Sequence, residues 1–481
     1  MDKFKKLAIY SLISNIAYLI WLAFFIDNGI SCLYLFLELA IFLLVLLFIF
    51  NHGQRRYQLN GGAYSFRDAV DIFITTKNES EAMLKKTIEA ATKIIHPNKH
   101  VYILDDGDRK NIRVLAENYG CSYLSRPDRG DRPFKAANLN HGLKNSKGVF
   151  ILTIDADQVI QPRILDDLLG YFKDEKIAFV STRQRFAVSK SDFNNDNLFY
   201  EYMQAGKNSN FVGISCGSGV IYRRRSLEEI GGFQEWNIVE DLYTSYVLHS
   251  NGYKSIYVNQ SYSVGDAPKD LTVIYKQRGT WALDTLRMFF WKSPLLNFGL
   301  SFRQRLHYFE IGYIYIVSAI VIPSVYILNF YSIYFNEPIV KVGPYYLLFK
   351  APALYFTLRL YNQLGQGASS SRMWTALFPA YLKAMILALL YKKNIYTVTK
   401  KKSKPRRNLT LVLPQALIIL IGFYCVFFHI ANYGFSMLLT ANIFWYFLMI
   451  YWLWPVFPMS FASSRKPPTN NLKSVLNYNK I

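Results

Sequence analysis

Residues 149–157 read Val149-Phe150-Ile151-Leu152-Thr153-Ile154-Asp155-Ala156-Asp157. An unbroken apolar and β-branched run of this kind suits a strand covered on both faces, and here it ends in two carboxylates. Three neighbouring runs have the same character: Asp71–Thr75, Val101–Asp105 and Ala178–Val180. Helical patterns lie between them, over Ser80–Ile95 and Asp108–Tyr119. Strands alternating with helices predict an α/β domain, Rossmann-like with a mainly parallel sheet, over residues 64–275. Ligands of open α/β sheets bind outside the carboxyl ends of the strands, so the residues that end each run carry the chemistry.

Outward from this domain the chain turns apolar. Leu7–Ile26 and Ile30–Phe50 approach the roughly 20 residues that a bilayer-spanning helix needs, and Asp27-Asn28-Gly29 joins them as a turn. Two such runs do not fit a cleaved signal peptide, which has one shorter apolar core. Four more spans are expected near Tyr308–Tyr331, Tyr345–Leu360, Leu409–Ile430 and Leu438–Phe457. Lys350 and Arg359 interrupt the second of these, and both are expected to snorkel to the headgroups. Arg372–Tyr391 contains Pro379 and Lys383 and reads as an amphipathic interface helix.

The chain thus divides into a transmembrane hairpin (1–58), the α/β domain (64–275), interface helices (276–306) and transmembrane helices (307–362). An interface helix (370–392), a basic loop (393–408), two more transmembrane helices (409–461) and a basic tail (462–481) follow. The expected fold is an α/β domain inserted in a helical membrane domain of about six spans.

Composition agrees with that division. The 481 residues are 52% hydrophobic and 17% aromatic yet carry a net charge of +22, which excludes a disordered basic chain. Four scattered cysteines, without a C-x-x-C pair, suggest neither a zinc ribbon nor a disulfide framework. Segments 2–6, 51–58, 392–407 and 465–481 supply 16 of the surplus charges, all beside expected spans. By the positive-inside rule both termini and the α/β domain face the cytoplasm, the basic segments facing membrane lipid. No basic helix or aromatic platform supports a nucleic-acid partner.

The strand ends are Thr76-Lys77-Asn78-Glu79, Asp105-Asp106-Gly107 and Asp155-Ala156-Asp157. Residues i and i+2 of an extended strand end point the same way, so Asp155 and Asp157 can face one ligand. Hard carboxylate oxygens suit Mg²⁺ or Mn²⁺ bridging to a diphosphate. Lys135, at an expected helix start, supplies positive charge for the same anion.

Taken in order, the motifs resemble those of the processive family-2 glycosyltransferases, the cellulose, hyaluronan and chitin synthases. Phe73–Glu79 is similar to their F-I-P-T-Y-N-E, Val101–Gly107 to the nucleotide-binding D-D-G, Lys135–Asn140 to K-A-G-N-L-N and Asp155–Asp157 to the metal-binding D-x-D. Ser215-Cys216-Gly217-Ser218-Gly219 and Ile230–Phe233 resemble the acceptor-side C-G-S and G-G-F. Val239-Glu240-Asp241 looks like T-E-D, Gln277–Trp281 like Q-x-x-R-W, and Tyr396–Lys400 like the F-x-V-T-x-K gating loop of cellulose synthases.

The resemblance implies a glycosyltransferase-A fold in the plasma membrane and inverting polymerisation of a UDP-sugar, with UDP-glucose and a β-glucan as first choice. It implies Asp241 as catalytic base and Asp157 as metal ligand. Thr76, Glu79, Asp105, Asp106, Lys135, Asp155 and Thr399 would bind the donor nucleotide. Cys216, Gly217, Ser218, Glu240, Gln277 and Trp281 would hold the growing polysaccharide acceptor, and accessory export or cell-envelope subunits are compatible with it. Thr280 stands where the family's pyrophosphate-binding arginine belongs, so Arg278 or Lys400 is expected at the diphosphate. Lys77 replaces the tyrosine that packs on uracil, and Ser181–Gln184 departs from T-P-Q, which leaves sugar and linkage open. Residues after Phe461 are too few for a cyclic-di-GMP-binding barrel, so control by that ligand is not expected. Two other readings stand: a non-processive transferase making a glycolipid or polyprenyl-phosphate sugar, and a non-enzymatic nucleotide-binding scaffold or channel.

Overall fold

The computed structural model describes residues 3–53, 67–128, 135–188, 192–268, 270–341, 345–363, 367–391 and 408–461. Thr399, Lys400 and the rest of the basic loop 392–407, Arg55-Arg56 and the tail from 462 lie outside the described residues.

Among the described residues eight strands form one sheet: β1 (Val70–Thr76), β2 (Lys99–Asp105), β3 (Ser122–Leu124), β4 (Phe150–Asp155), β5 (Gln158–Ile160), β6 (Ile177–Phe186), β7 (Val220–Arg223) and β8 (Lys254–Gly265). Their spatial order is β3-β2-β1-β4-β7-β6-β8-β5. β3, β2, β1 and β4 run parallel, and β6 pairs parallel with β8; β7 and β5 run against their neighbours. Alternate side chains of each strand enter opposite cores. Ile72, Ile74, Ile103, Leu152 and Ile154 face one side, under the helices Glu81–Thr92 and Lys110–Asn118. Phe73, Leu104 and Ile151 face the other, under the helix Lys135–Lys144. This two-sided burial explains why the strand sequences are apolar without alternation.

Register positions the chemistry. Thr76 pairs with Asp105 across β1 and β2, and Thr75 pairs with Asp155 across β1 and β4. Three strand ends therefore finish level. β7 returns beside β4, pairing Val220 with Thr153, which brings Cys216–Gly219 to the end of β4.

Among the described residues five helices are long and apolar enough to cross a membrane: Lys3–Ala23, Gly29–Gly53, Phe302–Phe335, Leu409–Tyr433 and Met437–Phe461. The segment expected as a further span forms the shorter helix Tyr346–Asn362. It packs on the first helix, where the Thr357 hydroxyl meets Ser11 Oγ at 2.9 Å and Asn15 Nδ2 at 3.0 Å. Lys350 does not snorkel. Its ammonium pairs with buried Glu38 of the second helix and lies 4.7 Å from the Tyr18 ring centre. Removing one partner of such a buried pair typically costs about 3–5 kcal/mol, because the other charge is left uncompensated.

The interface segment differs from expectation in two places. The helix carrying Trp281 spans Leu271–Trp291 and so crosses the boundary expected at 275/276; Asp270 caps it by accepting from Val273 N at 2.9 Å. The described residues 370–391 belong to two helices, not one: Gly367–Ala376 ends before Phe378–Leu389, with Pro379 in the first turn of the second. Proline is tolerated there because a first-turn N–H has no intrahelical partner. Phe378–Leu389 packs on Leu271–Trp291 through Tyr381, Ala384 and Met385 against Ala282, Leu283 and Leu286.

Candidate active site

The helix Lys135–Lys144 starts at the carboxyl edge of the sheet, and its first residue reaches across that edge. Lys135 Nζ lies 2.7 Å from Asp155 Oδ1 and 3.0 Å from Glu240 Oε1, and donates to Gly217 O at 3.2 Å. Burial opposes the charge on Lys135, but Asp155 and Glu240 overcome it and hold the ammonium well above the ordinary lysine pKa. One cation thus joins β4, the Cys216–Gly219 segment and the helix Glu240–Ser250.

Asp241 is the second residue of that helix and is half-buried. Burial, followed by the adjacent Glu240 carboxylate, pushes its pKa up to about 8, against the opposing pull of Lys135 and of the Leu242 N–H at 2.7 Å. Ser245 Oγ donates to Asp241 O at 2.7 Å and accepts from Ser215 N at 2.9 Å, which ties the helix to the segment carrying Cys216.

That segment is shaped by glycine. Gly217 has φ +76°, and a Cβ there would stand 2.8 Å from Asp241 Oδ2 and 3.3 Å from Lys135 Nζ. Ser218 Oγ accepts from Asp155 N at 3.0 Å, and Gln184 Nε2 donates to Cys216 O at 2.6 Å. Burial and the nearby Asp241 charge push the Cys216 thiol up to about 12, so it is a neutral packing group. Gly217→Ala is expected to lower turnover sharply. The left-handed backbone alone costs of order 1–3 kcal/mol, and the methyl group displaces the carboxylate. Initial rates beside a thermal midpoint check this.

Asp105 and Asp106 do not stand free. Asp105 accepts from Gly107 N, Arg109 N and Tyr123 OH at 2.9–3.0 Å and pairs with Arg109 Nη2 at 3.0 Å. Arg126, almost fully buried, grips Asp106 with Nε at 2.8 Å and Nη2 at 2.9 Å. Arg109 also donates to Glu79 O at 2.6 Å and Thr76 Oγ1 at 2.8 Å. Glu79 Oε2 in turn accepts from Thr76 Oγ1, Lys77 N and Asn78 N, closing the loop after β1. These contacts link the ends of β1 and β2 through their side chains.

Asp157 follows β4 and is half-buried. Among the described residues no group of three acidic, His or Cys side chains could hold a metal unaided. Asp155, one of the two carboxylates that close β4, is already engaged by Lys135 through Oδ1.

Gln277, Arg278 and Trp281 lie on the helix Leu271–Trp291. Arg278, expected at the diphosphate, instead pairs with Asp196 at 2.6 Å, its guanidinium 4.9 Å from the Trp281 ring and 5.7 Å from the Trp374 ring. Its charge is neutralised inside the helix packing.

Residues 71–231 match the glycosyl transferase family 2 model, and residues 228–349 match the cellulose synthase model. Together the two matches run from residue 71 to residue 349. Of the curated relatives, the UDP-forming cellulose synthase 1 catalytic subunit of Komagataeibacter xylinus is 29% identical over 356 residues, covering 71% of this chain and 46% of the relative. The UDP-forming catalytic subunit of Pseudomonas fluorescens is 31% identical over 321 residues, covering 62% and 42%. The chain thus spans less than half of either relative. A mannosyltransferase from Pyrobaculum calidifontis, solved with GDP-Man and Mn²⁺, superposes with a TM-score of 0.52 at 15% identity and covers 81% of this chain and 100% of that one. It shares the glycosyltransferase-A fold.

Within residues 71–231, Arg109 and Arg126 hold the candidate site's carboxylates and were not named by sequence reasoning, whereas Gln184, named there only as part of a departing motif, binds Cys216 O. Arg109 had a signal, lying four residues after Asp105 across the turn into a helix. Arg126 follows the three-residue strand β3, too short to show a pattern. Asn140 ties the Gly231-Gly232 turn to the helix carrying Lys135, accepting from Phe233 N at 2.7 Å and donating to Phe233 O at 2.8 Å.

Proposed function

We propose that the protein is a membrane-embedded, processive, inverting β-glycosyltransferase that polymerises a UDP-sugar, with UDP-glucose and a β-glucan as first choice, and passes the product across the membrane. The observation that carries this reading is Lys135 bridging Asp155 and Glu240 beside Asp241, whose raised pKa suits a general base. Asp241 takes the proton of the acceptor hydroxyl as that oxygen attacks the anomeric carbon. The bond to the UDP oxygen breaks, and Lys135 faces the negative charge left there. Asp155 and Asp157 are the residues that would hold Mg²⁺ or Mn²⁺, which when bound supplies further positive charge for the diphosphate. Trp281 gives the acceptor sugar an aromatic face. Thr76, Glu79, Asp105 and Asp106, with their arginines, line the nucleotide end. The catalytic domain and both termini lie on the cytoplasmic side, where the basic segments face anionic lipid.

The test is purified protein in detergent or vesicles, given single UDP-sugars with Mg²⁺ or Mn²⁺. Products are sized and digested with linkage-specific glycosidases. A high polymer supports the proposal; a single-sugar lipid product alone points to the non-processive alternative, and no transfer from any UDP-sugar refutes both. Chelation with EDTA is expected to stop synthesis and excess Mn²⁺ or Mg²⁺ to restore it, read as UDP release.

A further inference from the structure

The helix that presents Asp241 lacks the usual means of fixing its start. Its N-cap is Val239, which has no side-chain acceptor, and the third helical position is Leu242. In a capping box that position would be Glu or Gln, reaching back to the N-cap N–H. Here the acceptor comes from elsewhere: Asp284 Oδ2 accepts from Val239 N at 2.8 Å. Asp284 is fully buried and stands three residues after Trp281, on the same face of the helix Leu271–Trp291. The contact is braced on both sides. Asn237 Nδ2 donates to Asp284 O at 3.0 Å, and Arg287 Nη1 donates to Asn237 Oδ1 at 3.1 Å and Trp236 O at 3.3 Å. The Arg287 guanidinium lies 3.7 Å from Asp284 Oδ1 and 4.6 Å from the Trp236 ring centre, so the buried carboxylate has its countercharge.

We propose that Asp284 is a positioning residue that sets Asp241 against the acceptor sugar carried by the Trp281 helix. A buried carboxylate is costly, and this one places its oxygen on the backbone two residues before the base. Base and acceptor must meet within a fraction of an ångström, and a small displacement far from the chemistry can reduce the rate severely. The inference rests on the proposed role of Asp241, so that residue is tested beside it.

The experiment compares the full-length protein with Asp284→Ala, Asp284→Asn and Asp241→Asn in vesicles, measuring kcat and donor KM. Asp284→Ala is expected to lose roughly 10- to 100-fold in kcat with donor KM unchanged. Asp284→Asn keeps an acceptor for the Val239 N–H and is expected to recover most of that loss. Wild-type kcat in Asp284→Ala overturns the proposal. So does a parallel collapse of kcat, donor KM and thermal midpoint in both Asp284 variants, which would mark a purely structural role. Full activity in Asp241→Asn would instead remove the functional reading beneath it.

Discussion

Asp241→Asn is expected to lower polymer synthesis by roughly 10²- to 10⁴-fold, the usual contribution of a positioned general base. Donor binding should survive, because Lys135 and Asp155 keep their contact without Asp241. The amide matches the carboxylate in shape and still accepts from Leu242 N, so the helix start is preserved. The negative charge disappears, and with it the capacity to take a proton. Measuring UDP release and UDP affinity on the same preparation separates the two, and wild-type UDP release would remove Asp241 from the mechanism.

The strands that bear this chemistry were legible because burial on both faces writes itself into sequence as an unbroken apolar run. β1, β2 and β4 are of that kind, and the acidic residues that close them were found with them. β7 was not legible: Val220–Arg223 is four residues long and finds its place only by pairing with β4 and β6. Asp105 and Asp157 could be named from position alone, but the partners of a carboxylate are tertiary facts. Asp106 shows this most clearly, since Arg126 lies 20 residues away beyond a helix and a strand. The same limit governed Lys350. Its charge was visible in the sequence, whereas its partner Glu38 is 312 residues distant. Asp284 gave no signal at all, because its importance lies in a missing cap on another helix.

Lys135→Met tests the cation on which the site is built. Removing it leaves Asp155, Glu240 and Asp241 without their shared countercharge, and Lys135 is one of the groups that lower the pKa of Asp241. The direction follows from the role of each state. A base works deprotonated, so in the free protein kcat/KM is expected to rise with pH through about 8. Without Lys135 the carboxylate holds its proton more tightly, and the rising limb must move to higher pH. The plateau should fall as well, by roughly 10²-fold, since a group facing the leaving UDP is lost. Lys135→Arg keeps the charge, and its limb is expected to stay near the wild-type position even if the larger guanidinium slows turnover. An unshifted limb in Lys135→Met, with donor KM alone raised, would make Lys135 a donor contact without influence on the base. A limb displaced to lower pH would contradict the electrostatic assignment outright, because no loss of positive charge beside a carboxylate can make it more acidic.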